Sequence, residues 1–173
     1  MKNNIYIKIL SIVILTLFSA LVNAEENKNE NEHQYNFYTG NFDFSDNKQK
    51  AILFGFHHQN ENLERNTFLG NASPITGGFI TENSAAYVYT GVEWNYAMSD
   101  NFKFTPSFAP GIYHEGNGKD LGHALEFKTE VQLTYSISES TNLGMSYNHV
   151  SNASLGDKNP GANSYMFNLL KNF

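Results

Sequence analysis

The run His123-Ala-Leu-Glu-Phe-Lys-Thr-Glu-Val-Gln-Leu-Thr-Tyr-Ser-Ile137 alternates in character almost residue by residue. Leu125, Phe127, Val131, Leu133, Tyr135 and Ile137 share one parity, and Glu126, Lys128, Glu130, Gln132 and Thr134 share the other. Successive side chains of a strand point to opposite faces, so this segment is a strand with one apolar and one charged face. A membrane barrel gives each face a home: lipid takes the apolar row and the barrel interior takes the charged one.

Neighbouring segments repeat the pattern. In 101–113, Phe102, Phe104, Phe108 and Ile112 stand against Lys103, Thr105 and Ser107, and in 85–97 the apolar row is Val88, Val92, Trp94 and Tyr96. Pro106 and Pro110 each remove a backbone donor from their run, which predicts bulges or a frayed edge. From Tyr35 onward there are eight such runs, 35–44, 49–58, 75–81, 85–97, 101–113, 123–137, 141–150 and 163–173, separated by turn-forming residues. The expected fold is all-β, an eight-stranded antiparallel transmembrane barrel of the outer-membrane type over residues 35–173.

The rest of the chain agrees with export. Residues 1–24 read as a secretory signal peptide, with Lys2 and Lys8 near the start, an apolar stretch from Ile9 to Val22 and a cleavage position after Ala24. A retained anchor is the alternative, disfavoured by the short apolar core and by Glu25-Glu26 behind it. Cleavage removes two lysines and no acids, taking the net charge from −6 to −8, so nucleic acid is a poor partner. The chain has no cysteine, and an exported protein without disulfides must draw its stability from the fold, which a closed sheet supplies. Residues 25–34 are polar and acidic and read as a flexible start to the mature protein.

Phe173 shares the parity of Phe167 and Leu169, and a terminal aromatic on an amphipathic last strand resembles the signal that the barrel assembly machinery of bacterial outer membranes reads. A soluble periplasmic sandwich is the competing reading and fits the signal, alternation and strand count less well. In an even-stranded barrel both termini face the periplasm. Residues 98–100 and 138–140 are then tight periplasmic turns, and 114–122 and 151–162 are long external loops. The 59–74 connection is long yet periplasmic, so either the third strand is misplaced or that turn is unusual.

On the seventh strand the apolar row Leu143, Met145, Tyr147 continues into His149 and Ser151. Two same-face residues on a strand lie roughly 6–7 Å apart at Cα, so a base and a nucleophile sit together at the membrane surface. Acyl transfer also needs a group to orient the base and donors for an oxyanion. Asn163, on the parity of Tyr165, Phe167 and Leu169, points outward beside His149. Asn163 is readable as that orienter or as turn punctuation, and both readings stay open. The Asn-, Gly- and Pro-rich segment from Ser151 to Gly161 is suited to aim backbone amides and an asparagine side chain at one point.

These residues resemble the outer-membrane lipid A 3-O-deacylases. The resemblance rests on His149-Val150-Ser151-Asn152-Ala153, on Asn159-Pro160-Gly161 at family-like spacing, and on Asp120-Leu121-Gly122 and Leu125-Glu126-Phe127 upstream. It implies an eight-stranded barrel in the Gram-negative outer membrane, among outer-membrane lipids, whose externally placed serine removes the ester-linked 3-position acyl chain of lipid A in lipopolysaccharide. Ser151 would be the nucleophile, His149 the general base, and the Asn152 amide with the Asn159 side chain the oxyanion hole. No cofactor or metal is implied, and a homodimer is left open. One position departs from the family, which usually carries glutamate where this chain has Asn163. Asparagine can fix the imidazole tautomer but adds no charge to stabilise imidazolium, which implies reduced activity, although asparagine serves as third member in Cys-His-Asn proteases and in outer-membrane phospholipase A.

Other polar residues read more plainly. Glu126 and Glu130 share interior parity with Lys128, which predicts buried pairing. His57 and His58 point to opposite faces and form no joint site. His114, Glu115 and His123 lack metal-ligand spacing, and Asn152-Ala153-Ser154 matches a glycosylation acceptor but belongs with the catalytic loop. The non-enzymatic alternative is a small structural or adhesive barrel, which has no need of His149, Ser151 and Asn159 on one edge.

Overall fold

The computed structural model describes residues 33–46 and 49–173; the expected signal peptide and residues 25–32 lie outside them. The strands are β1 (His33–Phe42), β2 (Ala51–Asn60), β3 (Arg65–Thr67), β4 (Gly70–Thr81), β5 (Ala86–Trp94), β6 (Tyr96–Ala97), β7 (Phe102–His114), β8 (Leu125–Ser136), β9 (Thr141–Ser151) and β10 (Ala162–Asn172). Antiparallel pairing runs β2-β1-β10-β9-β8-β7-β5-β4 and returns from β4 to β2, so the sheet closes into an eight-stranded barrel. β3 and β6 are short extensions of its lower edge, near the chain termini, paired to β4 and β7.

The alternation in β8 sorts as its sequence requires. Glu126, Lys128, Glu130, Gln132 and Thr134 are buried inside, whereas Val131, Leu133 and Tyr135 are exposed outside. Inside, Lys128 Nζ pairs with Glu130 at 3.2 Å and lies 4.2 Å over the Tyr89 ring; Glu130 also accepts from Asn148 Nδ2 at 3.3 Å. Glu126 is buried on the same row but lies outside this pair. His57 is buried, 3.7 Å from Glu93, while His58 points outward and stacks on Tyr35 with centroids 4.9 Å apart. Toward the rim opposite the termini, Phe42, Phe79, Tyr87 and Tyr113 fill the barrel with ring centroids 5.5–6.2 Å apart.

One expectation is narrowed and another needs correction. The prolines produce no bulge: β5 keeps one register with β7 from Ala86↔His114 to Glu93↔Ser107, and β6 continues it at Tyr96↔Phe104. Pairing simply lapses opposite Pro110 and Pro106, where the donor is missing, and Thr105 Oγ1 bridges the second gap to Asn95 Oδ1 at 2.9 Å. The third barrel strand begins at Gly70 rather than at residue 75. Its first buried positions hold small side chains, Ala72 and Ser73, so no apolar period announces it. Pro74 is tolerated because pairing with β2 ends at Ile75↔Gln59, one residue short of it. The long connection is a 3₁₀ turn, Glu61–Leu63, followed by β3, which folds back onto β4 as a small hairpin.

If the exposed band faces hydrocarbon, Val131→Arg at the middle of β8 destabilises the barrel by about 2–4 kcal/mol, whereas Glu139→Arg in the exposed turn costs about 0–1 kcal/mol. Denaturant titration of both variants refolded into bilayers checks this; equal losses would mean the band does not contact lipid.

Candidate active site

The site is assembled by β9 and β10 at the rim away from the termini. Their register sets Asn163 directly opposite His149 and Tyr165 opposite Tyr147, all on the outward face. His149 Nδ1 lies 2.9 Å from Asn163 Oδ1. An amide oxygen only accepts, so Nδ1 carries the proton and Nε2 is left with its lone pair. Tyr147 donates its hydroxyl to the same Asn163 oxygen at 2.8 Å.

The backbone of Asn163 is fixed from across the barrel seam. Phe44 N–H donates to Asn163 C=O at 3.0 Å, and Asn163 N–H reaches Asp43 Oδ1 at 3.4 Å. Asp43 is itself buried and ion-paired with Lys119 Nζ at 2.5 Å, tying the segment after β1 to the β7–β8 loop.

β9 ends at Ser151, and the chain then turns sharply. Ala153 and Ser154 both have positive φ, 52° and 65°, and Leu155 N–H closes the turn on Asn152 C=O at 3.0 Å. Left-handed backbone at two consecutive non-glycine residues is unfavourable by about 1–3 kcal/mol each, and surrounding contacts must hold it. Asn152 supplies them: fully buried, it donates from Nδ2 to Leu121 C=O at 2.8 Å and Lys158 C=O at 2.9 Å. Its backbone N–H donates to Asn159 Oδ1 at 3.1 Å. Lys158 also pairs with Asp120 at 2.5 Å, and that partner, with the Gly122 N–H, holds the Asp120 carboxyl below its ordinary pKa. The two loops touch at Gly122, where φ is +92° and a Cβ would stand 2.3 Å from Lys158 C=O.

The five residues singled out in the sequence therefore form two pairs beside Ser151. His149 is joined to Asn163, and Asn152 to Asn159, the latter as donor and acceptor. Ser151, half-buried one residue before Asn152, makes no hydrogen bond to His149. Asp43 and the Tyr147 hydroxyl were missed. In the sequence Tyr147 stands as part of an apolar row, although its place two residues before His149 on the same face is a usable signal. Nothing local marks Asp43, whose partner Asn163 is 120 residues away.

Comparison with known proteins places this arrangement. Residues 32–172 match the family described as lipid A 3-O-deacylase (PagL). The chain belongs to that family. Among solved structures it is similar to the outer membrane enzyme PagL, at 15% identity and a TM-score of 0.62, covering 80% of this chain and 98% of that one. It is also similar to a de novo designed transmembrane β-barrel (8% identity, TM-score 0.54, 86% of this chain and 100% of that one). Neisserial surface protein A matches at 8% identity and a TM-score of 0.50, over 82% of this chain and 96% of that one. No curated protein sequence matches the chain significantly. Family and fold together make this an outer-membrane β-barrel of the deacylase family and support lipid A deacylation as its activity.

Gly161 gives a test of the geometry. Its φ is +60°, and a Cβ there would stand 2.7 Å from His149 Cε1 and 3.2 Å from Nε2. Gly161→Ala must push the imidazole aside, and a displacement near 1 Å costs on the order of 10²-fold in rate. Deacylation measured on variant protein that still shows heat-modifiable migration checks this; an unaltered rate would mean that His149 is not held where the reaction needs it.

Proposed function

We propose that this protein is a serine esterase that removes the ester-linked 3-position acyl chain from lipid A, acting on lipopolysaccharide at the outer leaflet. The observation that carries the reading is the 2.9 Å contact between His149 Nδ1 and Asn163 Oδ1, which leaves Nε2 as a base on the face that presents Ser151. Below the site the same face continues as Met145 and Leu143, an apolar track for an acyl chain.

In the proposed reaction Ser151 Oγ attacks the ester carbonyl carbon while His149 Nε2 takes its proton. The electron pair moves onto the carbonyl oxygen, giving a tetrahedral oxyanion. The bond to the sugar oxygen then breaks, His149 returns the proton to that leaving oxygen, and water hydrolyses the acyl-serine by the same steps in reverse roles. Asn152 N–H and the Asn159 amide group supply the oxyanion donors. At rest the Asn159 oxygen occupies the Asn152 N–H, so the substrate oxygen takes the place of Asn159 Oδ1 in the reacting complex. The open Ser151–His149 geometry accords with the general looseness of catalytic hydrogen bonds in unliganded enzymes.

Ser151→Ala and His149→Ala should each abolish deacylation without affecting barrel folding, and the double variant should be little worse, because nucleophile and base act as a unit. Mass spectrometry of lipid A from cells expressing each variant reads the loss of one hydroxyacyl chain; normal turnover by Ser151→Ala would rule out Ser151 as the nucleophile, and no loss of a chain with the unaltered protein would leave a non-catalytic barrel as the better reading.

Asn163→Glu places a negative charge beside the developing imidazolium, and the rate should rise. Asn163→Ala should lower it by less than loss of Ser151. A purified, detergent-solubilised assay checks both, and indifference to either change would reduce Asn163 to loop punctuation.

A further inference from the structure

An asparagine in the orienting position poses a problem that a carboxylate does not. Both ends of a carboxylate accept hydrogen bonds, whereas an amide is nearly symmetric in shape but accepts at Oδ1 and donates at Nδ2. With Oδ1 toward the imidazole, His149 must protonate Nδ1 and offer Nε2 as a base. With the amide turned over, Nδ2 would donate to Nδ1, the proton would sit on Nε2, and the base would be lost. Some neighbour has to choose between the two.

We infer that Tyr147 makes that choice, as a positioning residue for the proposed catalytic pair. Its hydroxyl donates to Asn163 Oδ1 at 2.8 Å, the same oxygen that His149 Nδ1 meets at 2.9 Å. Turning the amide over would present an NH₂ group to both neighbours and leave the phenolic proton without its acceptor, and an unmet donor on an apolar face is costly. The tyrosine itself is fixed by a ring cluster: its centroid lies 5.3 Å from Tyr165 and 6.4 Å from Phe44, and Phe44 is 4.3 Å from Tyr165. Phe44 in turn donates its backbone N–H to Asn163 C=O at 3.0 Å. Backbone and side chain of Asn163 are thus held by the same aromatic group, and among the described residues Tyr147 contributes the donor that distinguishes oxygen from nitrogen.

The inference rests on the serine esterase reading for its effect on rate, but not for its effect on the imidazole, so two readouts separate the two. Tyr147→Phe keeps the ring and removes only the donor. In protein carrying ¹⁵N-histidine in detergent micelles, with His149 assigned by difference from His149→Gln, the wild-type ring should show Nδ1 protonated. Tyr147→Phe should shift a large fraction to Nε2 protonated. Loss of the bias leaves about half of the rings or fewer with Nε2 free, so kcat should fall about twofold or more with KM unchanged. In the Asn163→Glu background the same Tyr147→Phe change should alter kcat by less than about twofold, since a carboxylate has no wrong end. An unchanged tautomer, or an equal loss of rate in both backgrounds, would overturn the positioning role and leave Tyr147 as packing. Activity retained by Ser151→Ala would instead remove the serine esterase reading, while the tautomer of His149 would still decide the role of Tyr147.

Discussion

Inside a hydrocarbon layer no backbone N–H or C=O can be left to water, so a sheet that crosses it has to close on itself. Here closure is the pairing of β1 with β10, from Gln34↔Asn172 to Asn41↔Tyr165. That seam does more than satisfy strand edges. The residues that leave β1, Asp43 and Phe44, reach across it to the N–H and C=O of Asn163, so the same closure that makes the barrel permissible anchors one member of the candidate site. β10 is then committed on both sides, and its register with β9 sets Asn163 opposite His149.

The candidate site sits on the outer face, and the interior explains why it can. An eight-stranded barrel has room only for its own side chains, and this one fills its distal half with Phe42, Phe79, Tyr87 and Tyr113 and its middle with the Lys128–Glu130 pair. A rigid filled interior lets outward positions at one rim be placed by strand register alone. The loop that follows Ser151 needs more. Its two left-handed residues are held by Asn152, clasped between the carbonyls of Leu121 and Lys158, and the Asp120–Lys158 pair binds the two long loops outside that clasp.

In the proposed reaction a neutral residue, Asn163, orients the base. It gives His149 an acceptor for Nδ1 without a charge for the imidazolium, and the direction of its amide becomes a structural variable. A carboxylate at the same place would have been tolerant of its surroundings. The amide depends on what donates to its oxygen, which makes the hydroxyl of Tyr147 part of the local design.

Several features were determined by the sequence alone. The period-two rows in 101–113 and 123–137 settle strand, face and barrel, because side-chain direction in a strand is a matter of parity. Parity also puts His149, Ser151 and Asn163 on one face before any fold is known, and Asn152 and Asn159 are marked by the runs that contain them. The start of β4 at Gly70 was not legible, since its first buried residues, Ala72 and Ser73, are small and carry no hydrophobic signature. Nor were the contacts of Asp43 with Asn163 and Lys119, or the clasp of Asn152 by Leu121 and Lys158, because these join segments brought near only when the sheet closes. Parity fixes which way a side chain points, but which oxygen meets which donor depends on distances between strands and loops far apart in the chain, and those exist only in the closed barrel.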